Sequence, residues 1–413
     1  MYYYRENGAC FASLLPNLPL PKSALPEQDT PLTFLFDMPP ENRRASFCVT
    51  DPRQLTAPES VAWLDPGRIS GTSPVLPEEL SLRIARRTLR AVNIRHPKWR
   101  DAADPALSPR RKRVHLLAVG DVGGTMLIGL KLLGGDCIET LGICDLNPNT
   151  VDRWTAEMSQ IAWPWDYDAL PNVRAVDQEH LFDCDVFLFA ATKTVPAVGS
   201  EVPDVRMAQL EANRAIVEHY ARKARDAEFR GLFIVLSDPV DPLCRAAYLA
   251  SNRGADGRWD GQGLLAEQVQ GFGLGVMNAR AAALAREDAR YRSFLEEGRS
   301  FGPHGEGLVI ANSIVRYDDA VSRELTERVK TANLRIRELG FKPYVAPALS
   351  SGAFSLLLTL RGQWHCGSVC LGGVWFGCRC RATPAGVETE DLVLPDALYE
   401  RLQETEQSLS SIL

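Results

Sequence analysis

From residue 114 onward, short apolar runs alternate with stretches whose apolar positions repeat at helical spacing. Val114-His115-Leu116-Leu117-Ala118-Val119 is an apolar run ending at a glycine turn, and residues 126–133 follow as a predicted helix. Leu141-Gly142-Ile143-Cys144-Asp145 predicts the next strand, and residues 186–190 and 232–236 predict two more of the buried type. Between those two, residues 206–226 carry Leu210, Val217, Ala221 and Ala224 on one helical face. Strands alternating with helices imply an α/β fold with a parallel sheet and crossover helices. Leu398, Leu402 and Leu409 predict a closing helix over residues 395–413.

The first 110 residues read differently. Short apolar pieces such as Leu32-Thr33-Phe34-Leu35-Phe36 are interrupted by Pro16, Pro19, Pro21, Pro26, Pro31, Pro39 and Pro40. Proline removes a backbone donor and fixes φ, so no long helix is expected before about residue 76. Pro77-Glu78-Glu79 suits a first turn, and Leu80, Ile84, Thr88 and Ala91 predict one helix over residues 77–94. The segment is expected to be an irregular extension that packs on the main body, with a lid or partner-docking role as the alternative. Residues 96–113, charged and proline-containing, read as the linker.

Composition narrows the classes. A net charge of -6 gives no basic footprint for nucleic acid. No run of about 18 apolar residues is present, so no membrane span is expected. Ten cysteines without a basic, apolar leader at Met1 to Asn7 read as reduced thiols in a cytoplasmic protein.

The turn after the first strand, Ala118-Val119-Gly120-Asp121-Val122-Gly123-Gly124, is a G-x-G-x-x-G pattern with alanine in the first position. Its middle glycine admits a pyrophosphate to the backbone, its third lets helix pack on strand, and the helix N-terminus offers free N–H groups. Asp145 ends the second strand 22 positions after Gly123, where a carboxylate accepts bonds from ribose hydroxyls and repels a 2′-phosphate. Ala118, Gly120, Val122, Gly123 and Asp145 are therefore the expected cofactor-binding set, with NAD the expected cofactor. An ordinary strand-end aspartate is the competing reading of Asp145.

Four later segments occur in an order that resembles the lactate/malate dehydrogenase superfamily. Arg206-Met207-Ala208-Gln209-Leu210-Glu211-Ala212-Asn213 resembles the stretch that closes its active-site loop. Ser237-Asp238-Pro239-Val240-Asp241 is similar to its S-N-P-V-D strand end, and residues 273–280 to its G-x-x-L-D-x-x-R segment. Gly302-Pro303-His304-Gly305-Glu306 resembles its G-E-H-G-D segment. The resemblance covers roughly residues 112–410. It implies a Rossmann-type parallel sheet followed by a mixed α/β substrate lobe, divided as extension (1–110), NAD-binding domain (111–242) and substrate domain (243–413). It also implies NAD-linked interconversion of a 2-oxo acid and a 2-hydroxy acid by a homodimer or homotetramer. His304 would be the acid/base, Arg280 would hold the substrate carboxylate, and Arg206 would polarise the carbonyl. The competing readings are an exposed turn residue for His304 and surface charges for the two arginines.

The chain also departs from the pattern. The aspartate that orients the histidine in the family falls on Met277, which cannot fix a tautomer, and Asn278 points about 100° away on a helix. Either another carboxylate serves or His304 is a slower acid/base. Asp238 replaces an asparagine, residues 192–205 form a longer loop than the family's, and Lys342 stands where a small residue is usual. Lys193, Asp238 and Lys342 are the substrate-pocket candidates, with Lys342 expected to meet a second carboxylate or pair with Asp238. These changes favour a modified or larger 2-oxo acid, of the kind found in specialised metabolism, over plain lactate or malate. The rivals are an imine- or amine-acting reductase, and a catalytically weak NAD-binding homologue with an interaction role. Cys366, Cys370, Cys378 and Cys380 lie close to His365, but their C-x3-C and C-x-C spacings do not match a usual zinc knuckle. They are expected to pack as small hydrophobes in a hairpin, and no metal is assigned.

Overall fold

The computed structural model describes residues 1–27, 30–104, 110–193 and 205–412. The segment expected to be irregular folds into a five-stranded sheet. Its strands are β1 (Tyr2–Glu6), β2 (Ala9–Ser13), β3 (Leu32–Phe36), β4 (Ser46–Cys48) and β5 (Arg90–Asn93), in the order β1-β2-β3-β5-β4. β2, β3 and β5 run parallel, with antiparallel β1 and β4 at the edges. The prolines punctuate the long connections between strands rather than preventing strands.

The helix expected over residues 77–94 is a correction. It is only α1 (Glu78–Ala85), because Arg87 turns the chain into the left-handed region at φ 59° and the next residues enter β5. All four residues of that strand are buried, and Leu89 and Ala91 join the core of this sheet. A short helix, α2 (Trp99–Ala103), follows. The sheet is fastened to the rest of the molecule at several points. Glu267 accepts from the Ala45 N–H (3.0 Å) and the Ser46 hydroxyl (2.6 Å), Arg87 pairs with Asp391 (2.6 Å), and Arg90 donates to the Pro384 carbonyl (2.7 Å).

The main body is built on a nine-stranded sheet. Its strands are β6 (Lys112–Leu117), β7 (Ile138–Cys144), β8 (Asn172–Ala175), β9 (Val186–Phe189), β10 (Leu232–Val235) and β11 (Val269–Gly271), which are mutually parallel. A small antiparallel pair, β12 (Arg299–Phe301) and β13 (Val309–Ala311), lies outside this sheet. The antiparallel strands β14 (His365–Leu371), β15 (Val374–Thr383) and β16 (Gly386–Thr389) extend the main sheet at the β11 edge. The order is β16-β15-β14-β11-β10-β9-β6-β7-β8, so strand order reverses between β6 and β9. In such sheets ligands bind beyond the carboxyl ends of the strands at the reversal.

Period-two alternation covers both faces. Leu117, Phe187, Phe189, Phe233 and Val235 pack on one side against α5 (Val205–Asp226) and α6 (Val240–Ser251). Val114, Leu116, Val186, Leu188 and Ile234 pack on the other against α3 (Asp121–Leu133), α4 (Pro148–Ser159) and α10 (Phe354–Leu360). The remaining helices are α7 (Leu274–Glu287), α8 (Phe294–Glu297), α9 (Asp319–Glu338) and α11 (Asp396–Ser410), the last matching the predicted closing helix. Among the described residues no helix is long and apolar enough to cross a membrane.

Candidate active site

β6 delivers the chain into the glycine turn. Ala118 takes φ 72°, where a glycine is at ease and an alanine is strained by about 1–2 kcal/mol. The third position admits only glycine, because a Cβ on Gly123 would lie 2.1 Å from the Ala118 carbonyl oxygen. A Cβ on Gly120 would meet nothing within 4 Å, so the face of the turn beside the α3 N-terminus is open. Asp145, just past β7, closes the turn from the other side. Its carboxylate accepts from the Val119 N–H (2.9 Å) and the Asn147 N–H (3.0 Å). Trp154 on α4 covers the turn, its indole N–H donating to the Val119 carbonyl (3.1 Å) and its ring leaving no room for a side chain at Gly124. Nothing in the spacing of the motif points to Trp154.

Beside this turn lies a cleft of about 280 Å3 whose lining includes Val122, Asp238, Arg280 and His304. His304 stands with its Cβ against α7, where a Cβ on Gly273 would be 2.7 Å from it. The His304 backbone N–H donates to Asp241 Oδ2 (3.1 Å), and its ring Nδ1 lies 3.0 Å from Asp238 Oδ1. A carboxylate only accepts, so Nδ1 carries the proton in this bond. Burial alone would pull the imidazole down; the Asp238 charge and hydrogen bond outweigh it and, against the pull of Arg280, hold the ring above its ordinary value. Asp241, buried at the start of α6, has its carboxyl lifted to about 6 by desolvation.

Arg280 reaches the cleft from α7. Its Nη1 contacts the Val329 carbonyl at 3.4 Å and Met277 Sδ at 3.6 Å, so Met277 is turned toward the arginine. Burial pulls the Arg280 guanidinium below its ordinary value, and Asp238 opposes that shift. α9 adds Lys330, Asn333 and Arg337 to the wall, none of which stands in a recognisable motif. Lys330 pairs with Glu306 (2.9 Å) and Glu327 (3.2 Å).

The other pocket candidates fare differently. Lys193 is exposed at the end of β9, where its N–H donates to Asn213 Oδ1 (2.9 Å). Asn213 also donates to the Asp238 carbonyl (2.8 Å), tying the ends of β9 and β10 together. Lys342 is a correction. Its side chain is 80% exposed and pairs not with Asp238 but with Asp121 of the glycine turn (2.9 Å). The segment around it is an irregular connection after α9, where Gly340 takes φ 85° and Pro343 follows. Arg206 falls in the first turn of α5, but its side chain and the loop over residues 194–204 lie outside the described residues.

The cysteine cluster forms the expected hairpin, His365 opposite Cys380 and Gly367 opposite Cys378, closed by the turn at Gly372 and Gly373. Among the described residues no group of three or more histidines, cysteines or acids is placed to hold a metal.

No family model matches the chain. Over 227 residues, 54% of this chain and 63% of the other, it is 24% identical to the malate dehydrogenase of Sulfurimonas denitrificans. It is also 24% identical over 241 residues to a formate-dependent phosphoribosylglycinamide formyltransferase of Burkholderia thailandensis, covering 57% of this chain and 54% of that one. The chain thus spans between about half and two thirds of the length of these curated relatives. Among solved structures, the minor L-lactate dehydrogenase of Enterococcus mundtii superposes with a TM-score of 0.59 at 19% identity. That superposition covers 74% of this chain and 98% of the other. The chain carries the fold of the lactate and malate dehydrogenases and is similar to them in sequence at low identity.

Proposed function

We propose that the protein is an NAD-linked dehydrogenase that interconverts a 2-oxo acid and a 2-hydroxy acid. The observation that carries this reading is a histidine with a carboxylate on Nδ1, placed beside a half-buried arginine in a cleft that the glycine turn borders. The residues present fit a dinucleotide. Gly120 leaves the turn open where a pyrophosphate would meet the α3 N-terminus, and Gly123 permits the tight return of the chain. The two Asp145 oxygens, each with one backbone donor, retain acceptor capacity for ribose hydroxyls. A carboxylate there disfavours a 2′-phosphate. When bound, the nicotinamide supplies or takes up the hydride.

The chain's own residues do the rest. With Nδ1–H committed to Asp238, the atom of His304 left for the substrate oxygen is Nε2, which gives a proton on reduction and takes it on oxidation. Arg280 presents a planar guanidinium for two parallel bonds to a carboxylate. Its partial burial strengthens that attraction. Arg206, at the start of α5, is assigned to polarising the carbonyl as charge develops on its oxygen. Asn333 and Arg337 on α9 lengthen the cleft with polar groups, which suits a 2-oxo acid larger or more polar than pyruvate.

Asp238 also bears on the rival readings. Facing His304, it is engaged rather than waiting for a substrate amine, and it supplies the carboxylate that Met277 does not. This contact supports the 2-oxo acid reading over the amine-acting and non-catalytic alternatives. The reading is tested by oxidation of NADH and of NADPH against a panel of 2-oxo acids differing in size and charge. Turnover with NADH in preference to NADPH is expected. Absence of turnover with every member, in protein that binds NADH, would sink it.

A further inference from the structure

We propose that Asp238 is the positioning residue of His304, taking over from the strand side of the cleft the task that Met277 leaves undone on α7. The kinetic part of this inference rests on the dehydrogenase reading above; the electrostatic part does not.

Three observations support it. First, the α7 side of the ring carries no carboxylate at the relevant turn. Gly273 lies directly beneath His304, Met277 follows one helical turn on, and its sulfur is turned to Arg280. Second, two aspartates near the ring divide the work. Asp241, buried at the start of α6, accepts from the His304 backbone N–H and so fixes where the residue stands. Asp238, past the end of β10, meets Nδ1 at 3.0 Å and so fixes the ring's rotation and tautomer. Third, the Asp238 backbone is itself held, its carbonyl accepting from the buried Asn213 side chain at 2.8 Å.

The relocation changes the character of the pair. The Asp238 side chain is 46% exposed while the His304 side chain is 15% exposed, so the orienting carboxylate stands at the rim of the cleft. The charged groups around the imidazole are Asp238 from the end of β10, Asp241 from α6 and Arg280 from α7. Lys330 and Arg337 of α9 line the same cleft, Lys330 being paired to Glu306 and Glu327. The two acids favour the protonated ring and the cations oppose it, and the balance is a ring held above its ordinary value. Reduction of a 2-oxo acid needs the protonated ring. Its rate therefore holds to a pH above the ordinary value for histidine and falls as pH rises through the raised midpoint.

The test uses the full chain, with the His304 ring proton followed by NMR across pH and assigned by its absence in His304→Asn. In Asp238→Asn, which keeps the shape of the side chain, the midpoint is expected to fall by about 1 pH unit or more. Placing the carboxylate back on α7, in Asp238→Asn with Met277→Asp, is expected to return the midpoint upward. In kinetics, Asp238→Asn is expected to lower kcat with little change in KM and to move the alkaline limb of reduction to lower pH. Thermal melting reports whether each variant folds, and Asp238→Ser serves if the asparagine variant does not. An unchanged His304 midpoint in a folded Asp238 variant overturns the inference. A shifted midpoint in a protein that turns over no 2-oxo acid upholds it and overturns the dehydrogenase reading instead.

Discussion

The glycine turn after β6 and the histidine between β12 and β13 border one cleft, yet they meet their requirements by different means. The turn works through backbone geometry. Only glycine fits at position 123, where a Cβ would strike the Ala118 carbonyl at 2.1 Å, while Ala118 is tolerated at φ 72° at a modest cost. The histidine works through charge, and a carboxylate serves it from any element that can reach Nδ1. Asp238 reaches it across 66 positions of sequence. Steric requirements are tied to one position and leave a motif; electrostatic requirements can migrate and leave a gap in one.

That contrast can be broken or sharpened by substitution. Beside loss of the histidine itself, the largest effect is expected at the charged group next to it. Arg280→Lys replaces a planar fork with a point charge and loses one of two charge-assisted bonds, each worth about 1.5–3 kcal/mol. A fall in kcat/KM of roughly 10–150-fold, concentrated in KM, is the expected result of steady-state assays. An unchanged KM would remove Arg280 from the substrate site. On the backbone side, Gly123→Ala is expected to cost about 1–3 kcal/mol of stability in denaturant titration, because the clash is with backbone that has little freedom to yield. A variant as stable as the parent would mean the turn is looser than its geometry.

The smallest effect sits where the two kinds of requirement meet. Asp121 places a carboxylate in the phosphate-side turn, where it suits the helix dipole but opposes an incoming pyrophosphate, and Lys342 offsets it at 2.9 Å. Asp121→Asn is expected to tighten NADH by roughly 3–5-fold, about 0.6–1 kcal/mol, in a fluorescence titration. No change would place the pyrophosphate away from this turn.

The same division explains what the sequence revealed. β6, the turn, α3 and Asp145 were legible because local periodicity and glycine placement dictate them, and the observed elements differ from the expected ones by a few terminal residues. His304, Arg280 and Asp238 were legible as residues of interest, but the bond from Asp238 to His304 was not, since no local pattern records a contact between distant loops. The pairing of Lys342 with Asp121 was not legible for the same reason: the carboxylate is 221 positions away. The N-terminal sheet was obscured differently. Its strands are short, three are parallel with long proline-bearing crossovers, and β5 begins within the apparent helical repeat of Leu80, Ile84, Thr88 and Ala91. Burial on both faces gives Arg90–Asn93 no alternation to read.

The central claim is that the His304 imidazole moves the proton that accompanies hydride transfer. Its most direct test is NADH-dependent reduction of the best 2-oxo acid by the parent and by His304→Asn, with NADH binding measured in both. The expected result is equal NADH affinity and a kcat lowered by about 100- to 10,000-fold in the variant, the usual contribution of a positioned acid/base. Retention of parental turnover by a folded His304→Asn protein would contradict it.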